Sequence, residues 1–233
     1  TKLQVMLGSN YLFITLIAQR NVLWMLIMKL GEDLMVKLNI GSGFMSPEVV
    51  FATDKDWVNV DINYDSNLAE WKNANYIKFE LSEYWPIAYE SADCIFASHI
   101  FEHIEYNKLL QTCAQCFRAL KIDSPMRIIC PDPRIFIKKY HEKDMQFLVD
   151  CFGQDNFLLH EYKTFTNMAF TDMFFGEHYA HALCSSIDLL SIMLIRAGFR
   201  KVVERNFGET DYPQFFSNLD NRKNMSFYLE VTK

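Results

Sequence analysis

Gly41-Ser42-Gly43 closes a short β-type run, Val36-Lys37-Leu38-Asn39-Ile40, and is the first point in the chain suited to hold a ligand by its backbone. Glycine takes dihedral angles that other residues resist and lets main-chain N–H groups come close to a bound group. Asp61 follows Gly41 by 20 residues, at the end of a second β-type run at 57–62. An acid at that offset can hydrogen-bond ribose hydroxyls. A third run, 76–81, carries Glu80 at its end. Three successive strand ends of this kind form an adenosine-type pocket, whereas taken singly the glycines serve a tight turn and the acids are solvated. A dinucleotide fingerprint asks for a third glycine where Ser46 stands, which disfavours dinucleotide binding.

A second cluster is His99-Ile100-Phe101-Glu102-His103. It matches H-x-x-E-H, in which two histidines one helical turn apart bind zinc in some peptidases. Glu177 or His178 would offer a third ligand to such a zinc hydrolase. The run directly follows a buried-type strand at 92–98, and the alternative to a zinc site there is a strand-end site with no metal. There a histidine can take a proton from a hydroxyl within reach, or serve as a structural or binding residue. His178 and His181, in Gly176-Glu177-His178-Tyr179-Ala180-His181, come from a later segment that can cover such a pocket.

The elements that must position these groups alternate. Strands are expected at 36–40, 57–62, 76–81, 92–98 and 126–130, the last stopped by Pro131-Asp132-Pro133. A helix is expected around 107–120, and an amphipathic helix at 185–197 that Ser185 or Ser186 can cap and Gly198 can end. Two more strands follow at 199–205 and 226–232. Strands alternating with helices predict a mostly parallel sheet covered on both faces.

Composition narrows the function classes. A chain of 233 residues with 23 basic and 29 acidic side chains, net −6, lacks the basic footprint of a nucleic-acid binder. The six cysteines sit mostly in apolar runs and read as reduced structural thiols. Cys113-x-x-Cys116 falls in Leu109-Leu110-x-x-Cys113-x-x-Cys116-Phe117-x-x-Leu120, whose helical spacing turns both thiols to the core. Residues 1–35 form an apolar extension, read as packing on the body or on a second copy of the chain. A membrane span there is disfavoured because Gln19-Arg20-Asn21 interrupts the apolar stretch 11–30. The chain has 20 Phe, and those at 152, 157, 165, 170, 174 and 175 crowd one segment, 132–184. That segment is an aromatic-lined pocket, an ordinary packed lobe, or a dimer contact made from the same rings.

In this order the motifs resemble the class I S-adenosylmethionine-dependent methyltransferases, specifically the type 11-like group. The matching pieces are Leu38-Asn39-Ile40-Gly41-Ser42-Gly43, Trp57-Val58-Asn59-Val60-Asp61-Ile62, and Ser91-Ala92-Asp93-Cys94-Ile95-Phe96-Ala97-Ser98-His99-Ile100-Phe101-Glu102-His103-Ile104. Phe117-Arg118-Ala119-Leu120-Lys121, Arg127-Ile128-Ile129-Cys130-Pro131-Asp132, Leu189-Leu190 and Ala197-Gly198-Phe199 complete the match across about 36–232. Lys121-Ile122-Asp123-Ser124-Pro125 departs from the family's Pro-Gly-Gly turn, and the stretch between Gly43 and Trp57 is short for a full first helix, although Ser46-Pro47-Glu48 can start a brief one.

The resemblance implies an α/β, Rossmann-like fold: a seven-stranded, mostly parallel sheet with an antiparallel last strand, helices on both faces and a helical lid after the fifth strand. It implies a methyltransferase domain over 36–233, with 132–184 as the acceptor-side lid. The implied activity is methyl transfer from S-adenosylmethionine, leaving S-adenosylhomocysteine, to a small-molecule or saccharide-type acceptor; the reduced thiols make a cytoplasmic location the expectation. Gly41, Ser42, Gly43, Asp61, Ile62, Glu80, Leu81, Ser98 and His99 would bind the cofactor. His99, and after it His103, would act in catalysis, with His178, His181 and Phe174 on the substrate side. The alternative of another class is a non-catalytic binding or partner subunit that keeps the cofactor fold.

Overall fold

β-Branched and aliphatic runs supply the strands, and the computed structural model describes residues 2–7, 10–15, 35–43, 56–63, 75–152 and 186–233. Within the apolar extension, β1 (Lys2–Leu7) and β2 (Asn10–Thr15) pair antiparallel, Lys2 opposite Thr15 and Leu7 opposite Asn10. Their Val, Leu, Tyr, Phe and Ile content favours a ribbon, an element the sequence reading did not assign.

Seven further strands form one sheet: β3 (Lys37–Ile40), β4 (Trp57–Val60), β5 (Asn75–Ile77), β6 (Cys94–Ser98), β7 (Pro125–Pro131), β8 (Lys201–Arg205) and β9 (Ser226–Thr232). Their order is β5-β4-β3-β6-β7-β9-β8. The first five are mutually parallel, and β9 runs antiparallel between β7 and β8. This is the expected mostly parallel sheet with an antiparallel last strand. Two expected strands end early: β4 stops at Val60 and β5 at Ile77, whereas β7 extends through Pro131. Asp61 leaves the ladder because its carboxylate turns to accept backbone N–H groups.

Local signals set the helices. α1 (Tyr106–Ala119) buries Leu109, Thr112, Cys113 and Cys116. Leu110 is 40% exposed because it lies about 100° around the helix from Leu109. α2 (Pro133–Glu142) begins with Asp132 accepting from the Arg134 N–H and Pro133 at its first position. α3 (Met145–Phe152) follows it. α4 (Ile187–Ala197) is capped by Ser186, whose hydroxyl accepts from the Leu189 N–H, and ends at Gly198 with φ 115°. A short α5 spans Pro213–Phe216.

One sheet face, with Leu38, Ile40, Ile95, Ala97 and Ile128, packs under α1 and α4, which also touch each other. On the other face Trp57, Cys94, Phe96, Ile129 and Tyr228 cluster with Phe216 of α5. The strand order reverses at β3, with β4 on one side and β6 on the other. Ile40 pairs with both Val60 and Ala97, so the strand ends lie level and Gly41, Asp61 and Ser98 emerge side by side. A crevice at that reversal is where open α/β sheets bind ligands.

Candidate functional site

Gly41 and Gly43 both adopt left-handed backbone, φ 64° and 57°. At Gly41 a Cβ would lie 2.3 Å from Cγ1 of Ile100, so the loop after β6 closes over a turn that tolerates no side chain. At Gly43 a Cβ would meet nothing within 4 Å; the turn opens onto free space there. The Ser42 N–H donates to Val60 O at 3.1 Å, tying the turn to β4. Ser42 Oγ is buried without a hydrogen-bond partner among the described residues.

Asp61 braces this turn. Its Oδ2 accepts from the Gly43 N–H at 2.7 Å and its Oδ1 from the Asn63 N–H at 2.8 Å. Each carboxylate oxygen has a second lone pair, so the group keeps acceptor capacity for a ligand hydroxyl. Below it, Asn39 Nδ2 donates to Asn59 Oδ1 at 2.9 Å inside the sheet, and the Tyr76 hydroxyl donates to Gly43 O at 3.3 Å.

Gly41, Gly43 and Asp61 line a cavity of about 480 Å³ with Ile62, Phe79, Glu80, Leu81, His99 and His103. That volume lies in the range of small-molecule sites, ~300–1,000 Å³. The 79–82 wall is fixed at Leu81 O, which accepts from Trp85 Nε1 at 2.9 Å and from Thr112 Oγ1 at 3.2 Å. Glu80 Oε1 accepts from Ser82 Oγ at 3.0 Å. Asp61, Glu80 and Glu105 line the cavity against Lys108, which pairs with Glu105 at 3.1 Å. Asp61 and Glu80 are left to give the cavity a negative field suited to a cationic, hydroxyl-rich guest.

At the β6 end His99 takes a left-handed conformation, φ 53°, held by its N–H donating to Ile129 O at 2.8 Å. Its Nε2 lies 2.9 Å from Ser226 Oγ, and its Nδ1 lies 3.2 Å from Glu102 Oε1. His99 therefore borders the cavity on one side and the β7–β9 corner on the other.

A crystal structure of a SAM-dependent methyltransferase from Archaeoglobus fulgidus matches the chain with a TM-score of 0.53 at 18% identity, over 91% of this chain and 92% of that one. A second, from Thermotoga maritima and described as a possible histamine N-methyltransferase, matches with a TM-score of 0.50 at 16% identity, over 91% and 88%. The fold is that of the SAM-dependent methyltransferases. No family model and no curated protein matches the chain.

Within this methyltransferase fold, Gly41, Gly43, Asp61, Ile62, Glu80, Leu81, His99 and His103 come together around one cavity. Ser42 stands between its two glycines, and Ser98 turns away, its hydroxyl donating to Asn221 Oδ1 at 3.1 Å. His178, His181, Phe174 and the Ser46-Pro47-Glu48 start lie outside the described residues. The zinc-site geometry needs correction. Only Phe101–His103 is helical, as a single 3-10 turn, so His99 and His103 do not share an α-helix face. The sequence reading missed Asn63, Phe79, Ser82, Ile100, Ile104, Glu105 and Lys108 in the lining. All but Lys108 sit within three residues of a predicted site residue, and that adjacency was the available signal. Ser226 had none, for it reaches His99 across 127 residues of chain.

Proposed function

We propose that this chain is a S-adenosylmethionine-dependent methyltransferase acting on a small-molecule or saccharide-type acceptor. The observation that carries the reading is the Gly43–Asp61 brace. A strand-end carboxylate is pinned by two backbone N–H groups beside a glycine that opens onto free space. The acid-lined cavity fits the same guest. When bound, S-adenosylmethionine supplies a methyl group on a sulfonium for in-line displacement. Gly41, Ser42 and Gly43 would lie along the methionine part, Asp61 would accept from the ribose hydroxyls, and Phe79, Glu80 and Leu81 would frame the adenine. The two acids oppose the positive charge of the donor. Residues 132–184 would then cover the acceptor.

Calorimetry with S-adenosylmethionine and S-adenosylhomocysteine tests the reading, followed by measurement of S-adenosylhomocysteine formation over a panel of hydroxyl, amine and saccharide compounds. Binding of both nucleosides and turnover of a panel member is the expected result. Failure to bind either nucleoside would overturn it.

A further inference from the structure

The surroundings of His99 carry one step more. Glu102 is 2% exposed, and neither of its carboxylate oxygens makes an aligned hydrogen bond among the described residues. His99 Nδ1 lies 3.2 Å from its Oε1. The Cys130 thiol also faces it, pushed well up from its ordinary value by burial and then by the Glu102 charge. A buried carboxylate without compensation is costly. That cost is met when Nδ1 carries the imidazole proton. Nε2 is then a bare acceptor, and the group 2.9 Å from it is the hydroxyl of Ser226, which must donate.

Ser226 opens β9, opposite Pro131 at the end of β7. It is 6% exposed and sits at the same edge of the sheet as Gly41, Asp61 and His99. The histidine ring thus connects the cavity that holds the proposed methyl donor to the corner where segment 132–184 leaves the sheet.

We propose that Ser226, His99 and Glu102 form a proton relay, with Ser226 Oγ meeting a hydroxyl acceptor and His99 Nε2 receiving the proton. This rests on the methyltransferase reading and assigns within it a role that His99 cannot fill by direct contact, since its Nε2 is engaged by Ser226 and its Nδ1 faces Glu102. As the acceptor oxygen forms its bond to the methyl carbon, its proton passes to Ser226 Oγ and the Ser226 proton passes to Nε2. The pair from the broken carbon–sulfur bond stays on the sulfur, which becomes a neutral thioether. One positive charge leaves the cavity as one arrives on His99, so the site's total charge is unchanged. Glu102, beside Nδ1, supports the imidazolium and acts as a positioning residue.

Nitrogen NMR on protein labelled at histidine tests the arrangement without any acceptor, the His99 signal being identified by its loss in His99→Asn. The expected result is a neutral His99 protonated at Nδ1, changing to the Nε2-protonated form in Glu102→Gln. A wild-type ring protonated at Nε2, or an Nδ1 proton retained in Glu102→Gln, would overturn the proposal. Should Glu102→Gln not fold, Ser226→Ala supplies the second arm: the Nε2 resonance shifts while Nδ1 stays protonated, and an unmoved resonance overturns the contact. With any hydroxyl compound that gives turnover, Ser226→Ala is expected to lower kcat roughly a hundredfold, with S-adenosylhomocysteine affinity unchanged and partial recovery in Ser226→Thr. An undiminished kcat refutes the relay. Absence of nucleoside binding by the wild type would instead refute the methyltransferase reading, and the tautomer measurement keeps the two failures separate.

Discussion

Asp61 is the residue on which the proposed donor site turns, because it does two jobs with one carboxylate. It anchors the Gly43 N–H at 2.7 Å and the Asn63 N–H at 2.8 Å, and it retains outward lone pairs. Truncation removes the acceptor and releases the glycine turn at the same time. Asp61→Ala is therefore expected to weaken S-adenosylhomocysteine binding by about 1–3 kcal/mol. Asp61→Asn should fall between the two, since its amide oxygen can still accept one of the backbone N–H groups. Calorimetry on folded variants measures both, and full affinity in Asp61→Ala would remove this residue from the site. Of the neighbouring positions, Ser42 and Ser98 show how residue type and role separate. Both stand next to motif positions, yet one hydroxyl is buried without a partner and the other bonds Asn221 on the β8–β9 connection.

At the scale of elements, that β8–β9 connection is held by a buried ion network on β7, β8 and β9. Arg127 is fully buried, with Nε donating to Asp220 Oδ1 at 3.0 Å and Nη2 to Asp220 Oδ2, while Glu230 lies 3.8 Å from Nη1. Asp220 also accepts from the Gly208 N–H at 2.7 Å, and Glu230 accepts from the Asp211 N–H at 3.0 Å. Removing the guanidinium leaves the buried Asp220 carboxylate without its cation, while Glu230 keeps Arg205 at 3.3 Å. Arg127→Met is expected to cost about 3–5 kcal/mol in urea unfolding, and adding Asp220→Asn should recover part of it. A loss under about 1 kcal/mol would mean that water already reaches these carboxylates. The same connection leads into Ser226, so partial loosening should also disturb the His99 contact. None of this was legible in the sequence, where Arg127 and Asp220 are 93 residues apart. What was legible is local: the glycine turn, the strand-end acids, the Ser186 cap and the Gly198 exit each declare themselves within a few residues. Pairings through the antiparallel β9 depend on which strands the chain brings together, and short-range pattern carries no record of that. The β1–β2 ribbon escaped notice for another reason, since an apolar run without clear periodicity reads equally as strand, helix or anchor.

For the whole molecule, the sheet and its covering helices are closed by thiols that must stay protonated. Cys94, Cys113, Cys116 and Cys130 are fully buried and unpaired by disulfides. Burial pushes Cys113 up to about 12 from an ordinary value near 9, and it pushes Cys94, Cys116 and Cys130 in the same direction. Tyr228 is raised to about 12 by burial as well. An unfolded chain releases these protons near the ordinary values, so at alkaline pH the folded state binds more protons than the unfolded one. Linkage then requires stability to fall as pH rises. The contribution is complete below about pH 9 and is lost progressively as the pH climbs toward 12. Urea midpoints should therefore decline once the pH passes that of a free thiol, more gently in a Cys113→Ala, Cys116→Ala variant than in the wild type. The absolute stability of that variant will be lower, because two packed side chains become cavities. Its slope against pH is the quantity that reports the thiols. A native protein whose buried thiols react with a thiol reagent as fast as those of the unfolded chain would contradict the account, for it would place Cys113-x-x-Cys116 outside the core that α1 and α4 enclose.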